Sequence, residues 1–213
     1  MKLYHGSKQI IQEPIVGGSD IHNDYGPSFY VTTDIKAARQ WACRNDTQGY
    51  VNEYEFDPDG LSLLDLTDHM RFSVLHWIAI LLHFRELDPS FLRNFSRRVD
   101  FIEKHFFIDP MGFDYIKGYR ADDAYFRFPL DFIRGNITLE QLSCAFELGD
   151  LGIQYALNSE AALSRLRFRK AEVAGREYIG QYYANILNAT KTFDEFNRDE
   201  EGVRILDLMR ERG

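Results

Sequence analysis

The spacing of apolar residues changes period twice along the chain, and this constrains the fold more than any other feature. From Tyr50 to Phe56 the pattern alternates, with Tyr50, Tyr54 and Phe56 on one side and Glu53 and Glu55 on the other, the side expected to face solvent. From Asp68 to Phe107 the period becomes helical, in two amphipathic segments separated by Asp88-Pro89-Ser90, which supplies a stop and a start. At Phe113–Gly118 the pattern is strand-like again. A pair of helices placed between strands predicts an insertion at about 68–107. Further strands are expected at Lys2–His5, Phe29–Thr32, Leu61–Leu66 and Ile153–Leu157. Thr33 is placed as the N-cap of a helix through Ala42, with Asp34 favourable to its dipole. Thr138 and Gln141 form a capping box for a helix ending at Leu148, and Ser159 caps another. Asp122–Ile133 reads as helix, with Pro129 a possible break, and the region beyond Arg176 reads as helix with a polar connection near 188–198. Strands and helices alternate without the spacing of a doubly wound sheet, so the fold class is α+β.

A chain of 213 residues with net charge −8 suits one large domain or a domain with an insertion. That balance argues against general binding to nucleic acid or anionic membrane. Cys43 and Cys144 make neither a disulfide framework nor a zinc quartet, and fit a reducing compartment. The segment Met1–His5 lacks the apolar core of a signal peptide. The longest apolar run, Val74–Phe84, is interrupted by His76 and His83 and is too short to span a bilayer. The expected location is cytoplasmic, without membrane attachment.

Three short constellations stand out. His5 closes the first strand and is followed by Gly6 and Ser7, where a ligand can approach the backbone. Tyr30 lies on a strand between the turn Asp24–Pro27 and a helix, where its ring could stack on a flat heteroaromatic group. Gln154 is polar on a strand otherwise suited to burial, and a buried amide needs hydrogen-bond partners, structural or functional. Taken alone, His5 reads as a strand-end residue without a task, and Tyr30 as a half-buried strand residue. Asp122 and Asp123 either cap a helix or enter a site. His69, His76 and His83 recur every seven residues, a poor spacing for a helical zinc site, so no metal is expected. Arg165, Arg167, Arg169, Lys170 and Arg176, with Phe168 among them, form either a solvated helix face or a patch for a polyanion. On a helix, Arg165 and Arg169 share one side.

Together His5-Gly6-Ser7, Tyr25 to Thr32, Ala121-Asp122-Asp123 and Gln154-Tyr155 resemble the motifs of ADP-ribosyltransferases of the diphtheria-toxin and poly-ADP-ribose-polymerase branch. They are closest to a family of small bacterial proteins without an assigned activity. The resemblance covers about 1–168, and departs from the family pattern at Ser28, where Gly is common. It implies a sheet split into two halves around an NAD cleft, followed by a helical C-terminal extension at 169–213. It also implies His5 on the adenosine-side ribose, Tyr30 stacked on nicotinamide, Gly6 on the nicotinamide amide by its backbone, and Gln154 on the nicotinamide-side ribose. Ser7, Asp122 and Asp123 join this NAD site; apart from the resemblance, the position of the basic stretch just after the Gln154 strand makes Arg165 and Arg169 candidates for holding the acceptor. Gln154 cannot ionise, so it can orient a hydroxyl but cannot act as a general base, and mono-ADP-ribosylation is expected rather than polymer synthesis. The implied role is a toxin or phage-defence effector, held in check by an inhibitory partner protein. Two alternatives stand beside it: an NAD-dependent RNA 2′-phosphotransferase, which needs arginines in the cleft, and a non-catalytic interaction module of the same fold.

Overall fold

The computed structural model describes residues 1–43, 48–121, 125–148, 152–175 and 201–212, with isolated positions between 177 and 195. In chain order the elements are β1 (Lys2–Ser7), β2 (Phe29–Thr32), α1 (Ile35–Cys43), β3 (Gly49–Phe56), β4 (Leu63–Asp65), α2 (Val74–Phe84), α3 (Pro89–Phe106), β5 (Tyr115–Tyr119), α4 (Arg127–Arg134), α5 (Leu139–Leu148), β6 (Ile153–Leu157), α6 (Glu160–Ser164), β7 (Leu166–Ala174) and α7 (Ile205–Arg212). A short 3-10 turn at Pro110–Gly112 precedes β5.

The strands form one open sheet in the order β4-β5-β6-β2-β1-β3-β7. All pairings are antiparallel except β4 with β5. The α+β class therefore holds. The sheet is continuous, but it is thinnest between β1 and β2. There only Tyr4 and Thr32 are in register, whereas β1 keeps six registered pairs with β3.

Alternation assigns the two sides of the sheet. One carries Leu3, Phe29, Val31, Tyr54, Phe56 and Leu157, covered by Ala162 and Leu163 of α6. On the other, Ala38 and Ala42 of α1 pack on Val51. Ile116 and Ala156 meet the larger cluster, built by α2, α3, α4, α5 and α7 with Trp77, Ile78, Ile102 and Phe132 at its centre. Gly6 allows the first of these contacts: a β-carbon there would sit 1.9 Å from the Ala38 carbonyl oxygen. The two helices expected at about 68–107 are present as α2 and α3, joined where Asp88 accepts from the amide nitrogens of Ser90 and Phe91.

Four expectations need correction. First, the basic segment is a strand, not a helix. α6 is only five residues long, and Leu166 and Phe168 then alternate inward while β7 pairs with β3 from Phe56↔Leu166 to Gly49↔Ala174. Pairing with a neighbour distant in sequence outweighs the helix propensity of Arg and Lys. The sheet consequently runs past residue 168, and 169–174 belong to it rather than to a helical extension. Second, α1 starts at Ile35, with Asp34 rather than Thr33 accepting from the amide of Lys36 at 2.8 Å. Third, α2 starts at Val74, because Asp68 turns the chain on itself by accepting from the Met70 amide at 3.1 Å; His69 therefore lies outside the helix. Fourth, α4 occupies Arg127–Arg134 and keeps Pro129 in its first turn, where no backbone N–H is required.

Candidate functional site

Where β1 and β2 separate, a side chain replaces backbone pairing. The Nδ1–H of His5 donates to the carbonyl of Tyr30 at 2.6 Å, while its ring stacks on Phe29 with centroids 4.6 Å apart. A carbonyl can only accept, so the bond fixes the tautomer, and the neutral ring keeps Nε2 as an acceptor. Burial pushes the His5 pKa below its ordinary 6.5, against the opposing pull of this hydrogen bond, so the neutral form dominates at neutral pH.

Tyr30 uses its hydroxyl locally. It donates to the Gly26 carbonyl at 2.6 Å and accepts from the Tyr25 amide at 2.9 Å, locking the turn that precedes β2. Burial, and then the nearby charge of Asp24, push the phenol well above its usual range. It is no acid at neutral pH, and its chemical use is its ring, which is half-buried and stacked on Tyr25 at 6.5 Å.

Gln154 pairs with Thr32 across the β2–β6 ladder and is 3% exposed. Its Nε2 donates to Asp24 Oδ2 at 2.8 Å and to the Tyr119 carbonyl at 3.3 Å. Asp24, 6% exposed, also accepts from the Ala121 amide at 2.8 Å and pairs with Arg85 at 2.7 Å. Beside it the Tyr25 hydroxyl donates to the Tyr119 carbonyl and receives the Trp77 indole N–H, both at 2.7 Å. Gly118 makes room for that hydroxyl, because a β-carbon there would lie 2.1 Å from it. Gln154 is thus one member of a buried network in which the polar groups satisfy one another. Sequence reasoning recognised that Gln154 needs partners and missed Asp24, which looked like an ordinary turn residue. Nothing local distinguishes a turn aspartate from one that will be buried against an arginine 61 positions away.

The remaining candidates divide. Ser7 donates to the Gln9 carbonyl and accepts from Asn52 Nδ2 at 3.1 Å, so its hydroxyl holds the loop after β1. Asp122 and Asp123 lie outside the described residues. Arg165 and Arg169 are not brought to the His5–Tyr30–Gln154 group. The chain passes from β6 through α6 to the far edge of the sheet, leaving β1 and β3 between β2 and β7. These cations are also neutralised there: Arg165 pairs with Asp57 at 3.4 Å, Arg169 with Glu55, and Lys170 with Glu53 at 3.7 Å. Arg169 is the extra residue of a bulge opposite Glu53 and Tyr54. Glu55 faces solvent as expected, but the Glu53 side chain is mostly covered, with Lys2 at 3.0 Å.

The three histidines have separate settings. His69 shares a hydrogen bond with the Tyr119 hydroxyl at 2.9 Å, His76 Nδ1 accepts from the Ser73 amide at 3.0 Å, and His83 lies 3.7 Å from Glu103. Among the described residues no group of three His, Cys, Asp or Glu is placed to hold a metal ion. No helix among them is long and apolar enough to cross a membrane.

Fold and site together define an α+β protein with a histidine and a tyrosine joined across the weakest seam of its sheet, beside a buried Asp-Arg-Gln network. Residues 1–168 match the family described as "Protein of unknown function (DUF3990)", and the chain belongs to that family. No curated relative and no solved structure matches it.

Proposed function

We propose that this protein is an NAD-dependent mono-ADP-ribosyltransferase acting on a macromolecular acceptor, in the cytoplasm. The observation that carries the reading is the seam itself: His5 tied to the Tyr30 carbonyl, with an acceptor nitrogen left for a hydroxyl donor. A ribose hydroxyl is such a donor, and the half-buried ring of Tyr30 suits a flat cationic nicotinamide. In the transfer, the bond between ribose C1′ and the nicotinamide nitrogen breaks. The electron pair leaves with neutral nicotinamide, an acceptor nucleophile bonds to C1′, and its proton passes to solvent. Positioning supplies most of the rate in such a step. In this reading the dinucleotide meets the two rings from the two faces of the sheet at the seam, His5 on the Phe29 side and Tyr30 on the Ala156 side. Gln154 acts at one remove, through Asp24, by fixing the β2–β6 wall, and contributes as a positioning residue. A toxin or defence role under an inhibitory partner rests on the resemblance alone.

One observation favours a non-catalytic module instead: the amide nitrogen of Gln154 is spent on Asp24 and not offered to a ribose. The 2′-phosphotransferase reading loses the support it drew from the basic segment, in which Arg165 and Arg169 lie at the far edge of the sheet in ion pairs with Asp57 and Glu55. The test is incubation of the purified chain with labelled NAD, alone and with cell extract, followed by separate nuclease and protease treatment. Transfer of label to nuclease- or protease-sensitive material is the expected result. No NAD consumption in either condition would leave the interaction module as the better reading.

A further inference from the structure

A concavity lies on the α2–α3 side of the sheet, between β5, the segment after β4, the start of α2 and α5. Its volume is about 170 Å³. Its floor is apolar, formed by Leu66, Val74, Trp77 and Leu139, with Leu66 and Trp77 almost fully buried. Phe72 and Tyr119 add two aromatic walls, and Tyr119 meets Trp77 edge-on at 6.2 Å. The polar groups collect at the rim. The His69 ring and the Tyr119 hydroxyl share their hydrogen bond there, and Ser73 and Ser143 present hydroxyls. Ser143 donates to the Leu139 carbonyl at 2.9 Å and keeps its lone pairs for an incoming donor.

Among the described residues no Asp, Glu, Lys or Arg lines this concavity. A charged ligand would lose its hydration there without a counter-charge, which is costly. The size decides the scale: a dry apolar cavity of about 150 Å³ takes up benzene, so this one suits one ring or a compact pair of fused rings. Aromatic walls favour a flat occupant, and rim hydroxyls favour one with ring N–H or carbonyl groups. We infer that this is a small-molecule site for a neutral, planar heteroaromatic ligand, separate from the His5–Tyr30 seam. The two are not isolated, because Trp77 at its floor donates to the Tyr25 hydroxyl, and the Tyr119 carbonyl receives Gln154.

The intact chain, ¹⁵N-labelled, would be titrated with adenine and indole, and with benzoate and cyclohexanol as charged and non-planar controls. The readout is the indole N–H resonance of Trp77, one of only two tryptophans. Saturable shifts with adenine or indole are expected, with each control at least tenfold weaker. Ser143→Phe fills the rim and should weaken both ligands at least tenfold. Tyr119→Phe removes only a hydroxyl and should weaken adenine about tenfold, a loss of about 1.4 kcal/mol. The second variant decides the matter if the first does not fold. Excess NAD should not displace the probes. The inference is overturned if neither planar probe binds, if benzoate or cyclohexanol binds as tightly, if the folded variants bind like the parent, or if NAD competes. Competition by NAD would assign the concavity to the site proposed above. Probe binding without any NAD turnover would leave this inference standing and that proposal failed.

Discussion

At the scale of single residues, protonation and hydrogen-bond inventory separate the candidates. His5 is useful only while neutral, because protonation turns its Nε2 from an acceptor into a donor. Its folded pKa lies below 6.5, so the fold favours the neutral ring. The associated stability is fully present above pH 6.5 and is lost as pH falls through the folded value. NAD turnover should follow the same limb: flat above pH 6.5 and falling at lower pH, read from a rate profile, with the His5→Ala variant lacking that limb along with most of the rate. A parent profile without an acidic limb would refute this use of His5. Tyr30 offers a cleaner division. Tyr30→Phe leaves the Gly26 carbonyl and Tyr25 amide without their partner, at about 1–3 kcal/mol by denaturation, yet keeps the ring. NAD affinity should survive in Tyr30→Phe and fall in Tyr30→Ala. Gln154→Glu would place a carboxylate against Asp24, where Nε2 now sits at 2.8 Å. Two adjacent carboxylates are relieved by sharing a proton, so this variant should be destabilised more at pH 8 than at pH 5. Equal stability at both values would mean that the network rearranges. The sequence made the need for partners around Gln154 legible, but not their identity, because Asp24 lies 130 positions away.

At the scale of elements, local chemistry was readable and pairing was not. The Thr138–Gln141 box is present in both directions, at 3.0 and 3.1 Å, and Ser159 Oγ accepts from the Ala162 amide at 3.0 Å. These depend on residues three apart. β7 depends on β3, more than a hundred positions earlier, and its charges misled because ion pairing on an edge strand resembles the polar side of a helix. Reversing Arg165 and Arg169 to Glu should therefore leave both NAD hydrolysis and transfer close to the parent. It should cost no more than about 1 kcal/mol for each exposed pair. Selective loss of transfer would restore an acceptor role. The start of α2 held an unanticipated device: the His76 ring takes the place that Glu or Gln occupies in a capping box. His76→Ala should cost about 1 kcal/mol in urea unfolding, and His76→Gln should recover part of it. Burial also lowers the His76 pKa, so this contribution, like that of His5, fades on acidification.

At the scale of the molecule, the Asp24–Arg85 pair joins parts that the sequence presents as separate. Asp24 precedes β2, Arg85 ends α2, Ala121 follows β5 and Gln154 belongs to β6. The insertion is thereby anchored to the sheet by a desolvated ion pair. Removing one partner, as in Arg85→Ala, should cost about 3–5 kcal/mol, because the other charge is stranded. A loss below 1 kcal/mol in chemical denaturation would show that the pair is solvated in solution. The change of period placed the two helices α2 and α3, but not their attachment to the sheet, which no periodicity encodes.

The single parallel pairing in the sheet bears on how the chain assembles. Parallel neighbours cannot be joined by a tight turn, and here Asp65 and Lys117, which bond at 2.9 Å, are 52 positions apart. Both α2 and α3 lie in that interval, so the β4–β5 pairing has a high sequence separation and is expected to form late. Its three residues form a rim with a neighbour on one side only. In native-state hydrogen exchange, the amides of β4 should open well before those of β1 and β3. Slowing the folding of α3 should delay protection of this rim without delaying protection of the β1–β3 ladder.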